Sequence, residues 1–232
     1  YLPFELDITR LVRRDRDNEL VVGVRAHALF NKQSQRYPKM RAPYPCGSMT
    51  ERLVGIWQDV FLLGLPEVRV DDVFVKPLVD EDILELEVTV RNDSERVQTI
   101  AVGGEVSSAF VLKGGCVTVR AGSAAKLMLR ERVDGRLKLW APGSPNLYAA
   151  VLSLKQGDRI VDNHFTRFGW RQFAIRGSDV LLNGKPIKLT GDFLHPFGPF
   201  ILSRSYVQAW YRLVQDFGGN SVRPHAQPHP RN

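Results

Sequence analysis

Cysteine is scarce in this 232-residue sequence, which contains only Cys46 and Cys116. Two cysteines so far apart do not make a disulfide framework, so the class of small cross-linked domains is excluded. We expect both to be free, buried thiols, and they indicate no cellular compartment. Long apolar runs are also missing, since none approaches the roughly 20 residues that a membrane-spanning helix requires. The first residue is Tyr1, so the localisation stays unknown.

Acidic residues are fewer than basic ones, and the formal net charge is +7. They are missing altogether from Ala26 to Thr50. A basic balance favours nucleic-acid binding, but no nucleic-acid-binding motif surrounds this stretch, so that interpretation rests on charge alone. We therefore expect neither nucleic acid nor a membrane as a partner. The hydrophobic fraction of 44% and the charged fraction of 25% are typical of a globular protein with one large domain or two modest ones.

Several catalytic and cofactor motifs are also lacking. The sequence has no Gly-rich phosphate loop and no serine nucleophile elbow. His225 and His229 have the spacing of a helical zinc pair, but three prolines (Pro224, Pro228 and Pro230) forbid a helix there. We therefore predict no metal site and no cofactor.

Most of the chain has the pattern of β-structure. From Ile83 to Arg91, apolar and polar residues alternate, which predicts a half-buried antiparallel strand. Asn92-Asp93-Ser94 supplies a turn, and Gly-containing turns punctuate further short strands. Strands at such spacing are typical of a β-sandwich, which we place at Pro66 to Trp170.

The spacing of the apolar residues changes from strand-like to helical near the C-terminal end. Apolar residues recur at helical spacing from Tyr206 to Phe217, with a capping-box pattern at Ser205 and a Gly218-Gly219 stop. Short apolar segments flank this helix at Ile187–Thr190 and Ser221–Arg223. Strand, helix and strand together predict one β-α-β unit.

Four motifs follow one another in the last third of the chain: Phe168–Phe173, Leu182–Ile187, Gly191–His195 and Gly219–His225. Their order resembles glycoside hydrolase family 2, which includes β-galactosidases, β-glucuronidases and β-mannosidases. In that family, an immunoglobulin-like sandwich passes at this point into a catalytic (β/α)8 (TIM) barrel. The resemblance implies a mainly β chain whose last part begins such a barrel.

The resemblance also implies three domains. Residues 1–65 would be the end of a jelly-roll domain of the sugar-binding type, 66–172 the immunoglobulin-like sandwich, and 173–232 the start of the barrel. Phe4–Thr9, Asn18–Arg25 and Gly55–Val60 resemble closing strands of the jelly-roll. A full barrel needs about 250 residues and only about 60 follow Trp170, so we expect the barrel to be truncated here.

Four site residues are implied by the resemblance. His195, Asp192 and His225 would bind the substrate, with His195 in contact with the sugar, and Arg223 would hold the catalytic nucleophile ionised. The alternatives are a loop histidine bonded to backbone at His195 and a surface ion pair at Arg223. Ala226 stands where the family usually has a further histidine.

The family's two catalytic glutamates have no counterpart in this chain. No glutamate follows Trp170, and Asp179, Asp192 and Asp216 do not form a pair by spacing. Asn18-Glu19 mimics the family's acid/base dipeptide, but it lies in a turn of a different domain. We therefore assign no catalytic residue and predict that the chain alone is inactive.

The sequence thus predicts part of a retaining β-glycoside hydrolase, β-galactosidase-like, that acts in carbohydrate metabolism. Its partner would be a β-linked glycoside or oligosaccharide, and the full-length enzyme could be a homo-oligomer. The alternative is a non-catalytic β-sandwich module that binds carbohydrate or a protein partner. Three tryptophans could be sugar platforms, but we expect them to be core and interface residues: Trp57, Trp140 and Trp170.

Overall fold

The computed structural model describes residues 4–24, 56, 59–194 and 204–224. They fall into two compact units. One unit is Leu62–Lys188, and the other comprises Tyr1–Phe61 and Leu189–Asn232. Among the described residues, no helix is long and apolar enough to cross a bilayer.

Seven antiparallel strands form the sandwich in the first unit. The three-stranded sheet has the order β1-β2-β5 and the four-stranded sheet the order β4-β3-β6-β7. A short 3-10 helix, Val79–Glu81, joins β1 to β2. The strands are β1 (Val68–Leu78), β2 (Ile83–Asn92), β3 (Gln98–Val106), β4 (Phe110–Val119), β5 (Ser123–Arg132), β6 (Tyr148–Gln156) and β7 (Arg159–Phe168). The predicted immunoglobulin-like sandwich is confirmed.

The alternation of apolar residues explains why β2 lies at the centre of its sheet. β2 pairs with β1 on one side and with β5 on the other. Its four inward side chains have no exposed surface, and burying an aliphatic side chain of this kind is worth about 1.5–3 kcal/mol. These residues are Leu84, Leu86, Val88 and Val90. Facing residues from β3 and β6, such as Ile100 and Leu152, complete the core between the sheets.

A three-stranded meander follows the sandwich in the same unit. It consists of β8 (Phe173–Arg176), β9 (Asp179–Leu182) and β10 (Lys185–Pro186). Asn183 and Gly184 form the turn between β9 and β10, with φ of 52° and 75°. Positive φ at both central positions is the geometry for which Asn-Gly is preferred in two-residue hairpins. Asn183 also donates through Nδ2 to the Trp140 carbonyl at 3.0 Å, so the Leu182–Ile187 motif anchors this meander to the sandwich.

The second unit contains the predicted β-α-β arrangement. Its elements are β11 (Gly191–Leu194), α1 (Arg204–Asp216) and β12 (Ser221–Pro224), and the two strands are parallel. The helix prediction is confirmed, but Ser205 lies inside α1 and therefore does not cap it. The first strand lies after the predicted Ile187–Thr190, so that boundary is wrong.

The reason for this shift lies in the backbone hydrogen bonds. Ile187 N–H donates to the Val180 carbonyl at 2.9 Å, so Ile187 continues the hairpin of the preceding meander. Asp192, which follows the predicted segment Ile187–Thr190, lies within β11.

The N-terminal segment 4–24 contains turns and no strand. In one turn, the Ile8 carbonyl accepts hydrogen bonds from Leu11 and Val12 at 2.8 and 3.1 Å. No strand is formed over Phe4–Thr9 or over the described part of the predicted Asn18–Arg25, because neither segment pairs with another described segment and a strand requires a partner. Most of the predicted Gly55–Val60 strand lies outside the described residues.

Candidate functional site

Two neighbouring strands carry the predicted site residues in the second unit. Asp192 lies in β11 and Arg223 in β12. His195 and His225 follow immediately after these strands and lie outside the described residues. The site can therefore be built from the described part of the two strands.

The register between β11 and β12 is set by a glycine and an asparagine. A Cβ at Gly191 would lie 1.7 Å from the Ser221 carbonyl oxygen, so no larger residue fits there without moving the backbone. Thr190 N–H donates to Asn220 Oδ1 at 3.0 Å. Asn220 N–H in turn donates to the Thr190 carbonyl at 2.8 Å. These contacts align the starts of the two strands.

A two-glycine turn connects α1 to β12. Gly218 has φ of 79°, and its N–H donates to the Gln215 carbonyl at 2.8 Å. Gly219 N–H donates to the Val214 carbonyl, also at 2.8 Å. This is the Schellman pattern that ends many helices. A Cβ at Gly219 would lie 2.5 Å from Cγ1 of Val214, which explains why this position is a glycine. The predicted end of the helix at Gly218-Gly219 is confirmed.

The resulting register places Phe193 beside Arg223. The two residues are paired across the parallel strands, and the Arg223 guanidinium carbon lies 4.6 Å from the centroid of the Phe193 ring. Phe193 was not singled out from the sequence. Its place in the short segment Gly191–Leu194 was visible in the sequence. Its contact with Arg223 could not be predicted, because that contact depends on the register between β11 and β12.

Asp192 lies on the other face of this two-stranded sheet. It is paired with Val222, and side chains alternate between faces along a strand. Its Oδ1 accepts a hydrogen bond from the Phe193 N–H at 2.7 Å. The structure therefore does not bring the carboxylate of Asp192 together with the guanidinium of Arg223. None of the ion pairs within the described ranges includes Arg223.

The other acids of the C-terminal part lie on different elements. Asp179 begins β9 in the first unit, and Asp216 ends α1 in the second. The part of the chain that the structure describes holds no group of three His, Cys, Asp or Glu side chains placed to bind a metal. Glu19 lies exposed in the irregular segment 4–24.

Two of the three tryptophans occupy structural positions, as expected. Trp170 is buried in the sandwich core. Trp140 N–H donates to the Trp170 carbonyl at 2.9 Å, and the Arg171 guanidinium lies 4.1 Å from the Trp140 ring centroid. A Cβ at Gly169 would lie 3.1 Å from that ring, which explains the small residue in the Phe168–Phe173 motif. Trp57 lies outside the described residues.

A groove of about 500 Å³ lies on the four-stranded sheet. It is lined by glycines and small or aliphatic residues, with one lysine. No carboxyl group and no aromatic ring line it, so it offers neither catalytic acids nor a stacking platform. Cys116, one of the lining residues, is free and exposed, so the expectation that it is buried is wrong. Its side chain lies on the solvent face of β4, where Cys116 is paired with Ala101 of β3. Cys46 lies outside the described residues.

Comparison with known proteins gives one family match. Residues 68–171 match the sequence profile described as glycosyl hydrolases family 2. This stretch coincides with the seven-stranded sandwich and its exit through Trp170 and Arg171.

Solved structures share the fold. A family 2 β-galacturonidase from Eisenbergiella tayi bound to galacturonate has a TM-score of 0.62 and 24% identity, covering 71% of this chain and 30% of that one. Bacteroides uniformis β-glucuronidase 2, covalently bound to cyclophellitol-6-carboxylate aziridine, has a TM-score of 0.60 and 22% identity, covering 72% and 22%. An exo-chitosanase from Amycolatopsis orientalis has a TM-score of 0.53 and 22% identity, covering 71% and 20%.

The alignments therefore involve less than a third of the length of each solved relative. The family match and the shared fold both agree with the resemblance predicted from the sequence motifs. Over residues 68–171, which form its sandwich, this chain is therefore similar to glycosyl hydrolases family 2.

Proposed function

We propose that the protein containing this chain is a retaining β-glycoside hydrolase and that Arg223 contributes to its active site. The observation that carries this proposal is the parallel β11-β12 pair that follows a family 2 sandwich and holds Arg223 near its C-terminal end. Barrel enzymes build their sites at the C-terminal ends of parallel strands. The β-α-β unit is accordingly proposed as the start of the catalytic barrel, with domain limits at 1–65, 66–172 and 173–232.

The role of Arg223 follows from the chemistry of retention. Retaining glycosidases use two carboxyl groups about 5–5.5 Å apart, one protonated and one ionised. A guanidinium beside the nucleophile favours its ionised form through a charge-assisted hydrogen bond. Because no glutamate follows Trp170 in this sequence, we propose that both catalytic carboxylates lie outside these 232 residues. Their side chains would approach Arg223 from other barrel strands.

The remaining site residues have proposed roles in substrate binding. His195 and His225 directly follow β11 and β12, so both would lie at the mouth of the barrel and contact the sugar. The family resemblance implies that Asp192 also binds the substrate. Its position on the face opposite to Arg223 favours a role in shaping the strand end over direct contact with the reacting bond.

The proposed substrate is a β-linked glycoside, with a β-galactoside as the first candidate. A β-uronide is the second candidate, because two of the solved relatives are a β-galacturonidase bound to galacturonate and a β-glucuronidase. The full-length protein should be assayed on nitrophenyl β-galactoside, β-galacturonide, β-glucuronide, β-mannoside and β-glucosaminide. The 232-residue chain should be assayed beside it, and we expect turnover from the full-length protein only.

Arg223→Ala tests the assigned role in the full-length enzyme. We expect kcat to fall about 10- to 100-fold, as for loss of a hydrogen bond to a charged group, with a smaller change in KM and in Tm. Arg159→Ala, an exposed arginine on β7, is the matched control and should change none of these. If Arg223→Ala leaves kcat within threefold while Tm falls sharply, Arg223 is structural.

The non-catalytic alternative makes a different prediction. A carbohydrate-binding sandwich would retain glycan affinity when the barrel is absent, and the groove on the four-stranded sheet is a candidate site for it. Calorimetric titration of the 232-residue chain with oligosaccharides tests this. Binding that is abolished by Lys155→Ala, together with an inactive full-length protein, would replace the hydrolase proposal.

A further inference from the structure

We propose that Phe193 is a positioning residue that orients the guanidinium of Arg223 toward the nucleophilic carboxylate. This inference rests on the proposed function and adds a residue that the sequence motifs do not assign. It would make the aromatic ring of β11 a support for the cation of β12.

The geometry provides the first step of the argument. Phe193 and Arg223 are register partners, and the guanidinium carbon lies over the ring at 4.6 Å from its centroid. This register depends on the close approach of Gly191 to Ser221 and on the reciprocal Thr190–Asn220 hydrogen bonds. The pair is therefore fixed by the backbone of the two strands.

The chemistry of the pair provides the second step. A guanidinium can stack on an aromatic ring while its five N–H donors remain directed along its edges. An acidic residue at position 193 would neutralise the cation and occupy its donors. Phe193 does neither, so its pairing with Arg223 uses up neither the charge nor the fork of donors that a carboxylate requires.

The exposure of the pair provides the third step. Phe193 is 45% exposed, and Arg223 is also exposed in the described structure. A long arginine side chain at an exposed position has many rotamers, and confining them before the reaction lowers the entropic cost of reaching a reactive geometry. The ring supplies that confinement without burying the cation.

The test uses three variants of the full-length enzyme. Phe193→Leu removes the aromatic face and keeps an apolar side chain, whereas Phe193→Tyr keeps the ring. Phe165→Leu is the control, because Phe165 is 64% exposed on β7 and distant in sequence from the site. We expect Phe193→Leu to lower kcat about 3- to 10-fold with KM within about twofold, and the other two variants to stay near wild type.

Two further readouts distinguish positioning from a merely structural role. The acid limb of the pH profile for kcat/KM should move to higher pH in Phe193→Leu, because a less well-placed Arg223 stabilises the ionised nucleophile less. The Hε resonance of Arg223, assigned by its loss in Arg223→Lys, should lose its ring-current shift in Phe193→Leu and keep one in Phe193→Tyr.

Each outcome bears on the inference separately from the proposed function. An unchanged Arg223 resonance in Phe193→Leu refutes the pairing, and a changed resonance with unchanged kcat and pH profile refutes the positioning role. An inactive wild-type protein whose Arg223 resonance still responds to Phe193→Leu refutes the hydrolase proposal and the positioning role with it, while the contact itself stands.

Discussion

Asn92 shows how one polar side chain can fix the end of a sandwich. It is the only fully buried polar residue within the described ranges. Its Nδ2 lies 2.7, 3.1 and 3.2 Å from the carbonyl oxygens of Arg96, Val119 and Arg120. Its Oδ1 accepts from both N–H and Oγ–H of Ser94 at 3.0 and 2.6 Å. One amide thus links the end of β2 to the end of β4.

Replacing Asn92 with alanine should therefore destabilise the protein by about 2–4 kcal/mol, because buried carbonyl groups lose their donor. Asn92→Asp should destabilise the protein more than Asn92→Ala does at pH 7, since a carboxylate would face those carbonyl oxygens. The loss of stability in Asn92→Asp should become smaller at low pH, because burial raises the pKa of the new carboxyl group and the neutral form then predominates. Urea denaturation at pH 7 and pH 4.5 measures both effects. Asn163→Ala, an exposed asparagine on β7, should change stability by less than about 0.5 kcal/mol, and an equally small effect at Asn92 would contradict the argument.

The role of Asn92 could be predicted from the sequence only in part. Asn92-Asp93-Ser94 indicates a turn because all three side chains compete for local backbone hydrogen bonds. The partner at Val119 is distant in sequence and becomes a neighbour only through the packing of two sheets. Phe193 illustrates the same limit, since its contact with Arg223 depends on a parallel register that the motifs do not encode.

At the scale of the element, a row of charges covers the outer face of the three-stranded sheet. Lys76 Nζ on β1 lies 3.2 Å from Glu85 and 3.2 Å from Glu87 on β2. Lys126 on β5 also pairs with Glu87. Register places Lys76 and Arg130 opposite Glu85, whereas Lys76 and Lys126 reach Glu87 from diagonal positions. Both glutamates of the strand pattern therefore have basic partners on both neighbouring strands.

These partners make the stability depend on pH. The hydrogen bond from Lys126, followed by that from Lys76, lowers the pKa of Glu87 below its ordinary value of 4.5. A carboxyl whose pKa is lower in the folded state stabilises the fold above its unfolded pKa, and this stabilisation disappears as the pH falls through the folded pKa.

Glu87→Gln should therefore lower Tm relative to wild type at pH 7, and the difference should vanish as the pH falls well below 4.5. High salt should also reduce the difference, because these side chains are partly open to solvent. Glu95→Gln, in the turn after β2, is the control. Calorimetry from pH 3 to pH 7 measures both variants, and a Tm difference that persists unchanged at pH 3 would show that Glu87 acts through packing.

The elements themselves were predictable to different degrees. β2 and α1 carry strong periodicity along their whole lengths, so local pattern and tertiary environment agree. β11 is short, and its position is set by the clash-free approach of Gly191 to Ser221 and by the hydrogen bond of Ile187 to the preceding hairpin. The segments at Phe4–Thr9 and Asn18–Val24 have strand-like composition, but composition does not supply a partner.

At the scale of the whole molecule, the sandwich has a core of its own. All members of its buried cluster lie between Val68 and Trp170. A tie links the edges of its two sheets: Asp162 on β7 accepts a hydrogen bond from the Val70 N–H on β1 at 2.8 Å. This hydrogen bond lies at the register shift of β1 between Val70 and Asp72, so the bulged part of β1 contributes the N–H that binds the other sheet.

The compact unit Leu62–Lys188 should consequently fold when it is produced alone. We expect a single cooperative unfolding transition in urea, followed by the fluorescence of Trp140 and Trp170, because the core and both sheets are complete within it. A shorter piece, Pro66–Trp170, should also fold but be less stable by about 1–3 kcal/mol, since it loses the Asn183 bond to the Trp140 carbonyl.

Limited proteolysis of the 232-residue chain provides an independent check of the same unit. We expect a protected fragment with ends near Leu62 and Lys188, because this unit holds its own core and the hydrogen-bonded strands of both sandwich sheets. Asn183→Gly keeps the positive φ of the turn and removes the side-chain bonds, so it should move the C-terminal cut toward Trp170. Early cleavage between Ile83 and Leu154, or a gradual transition in urea without a cooperative step, would show that the sandwich needs the rest of the protein to fold.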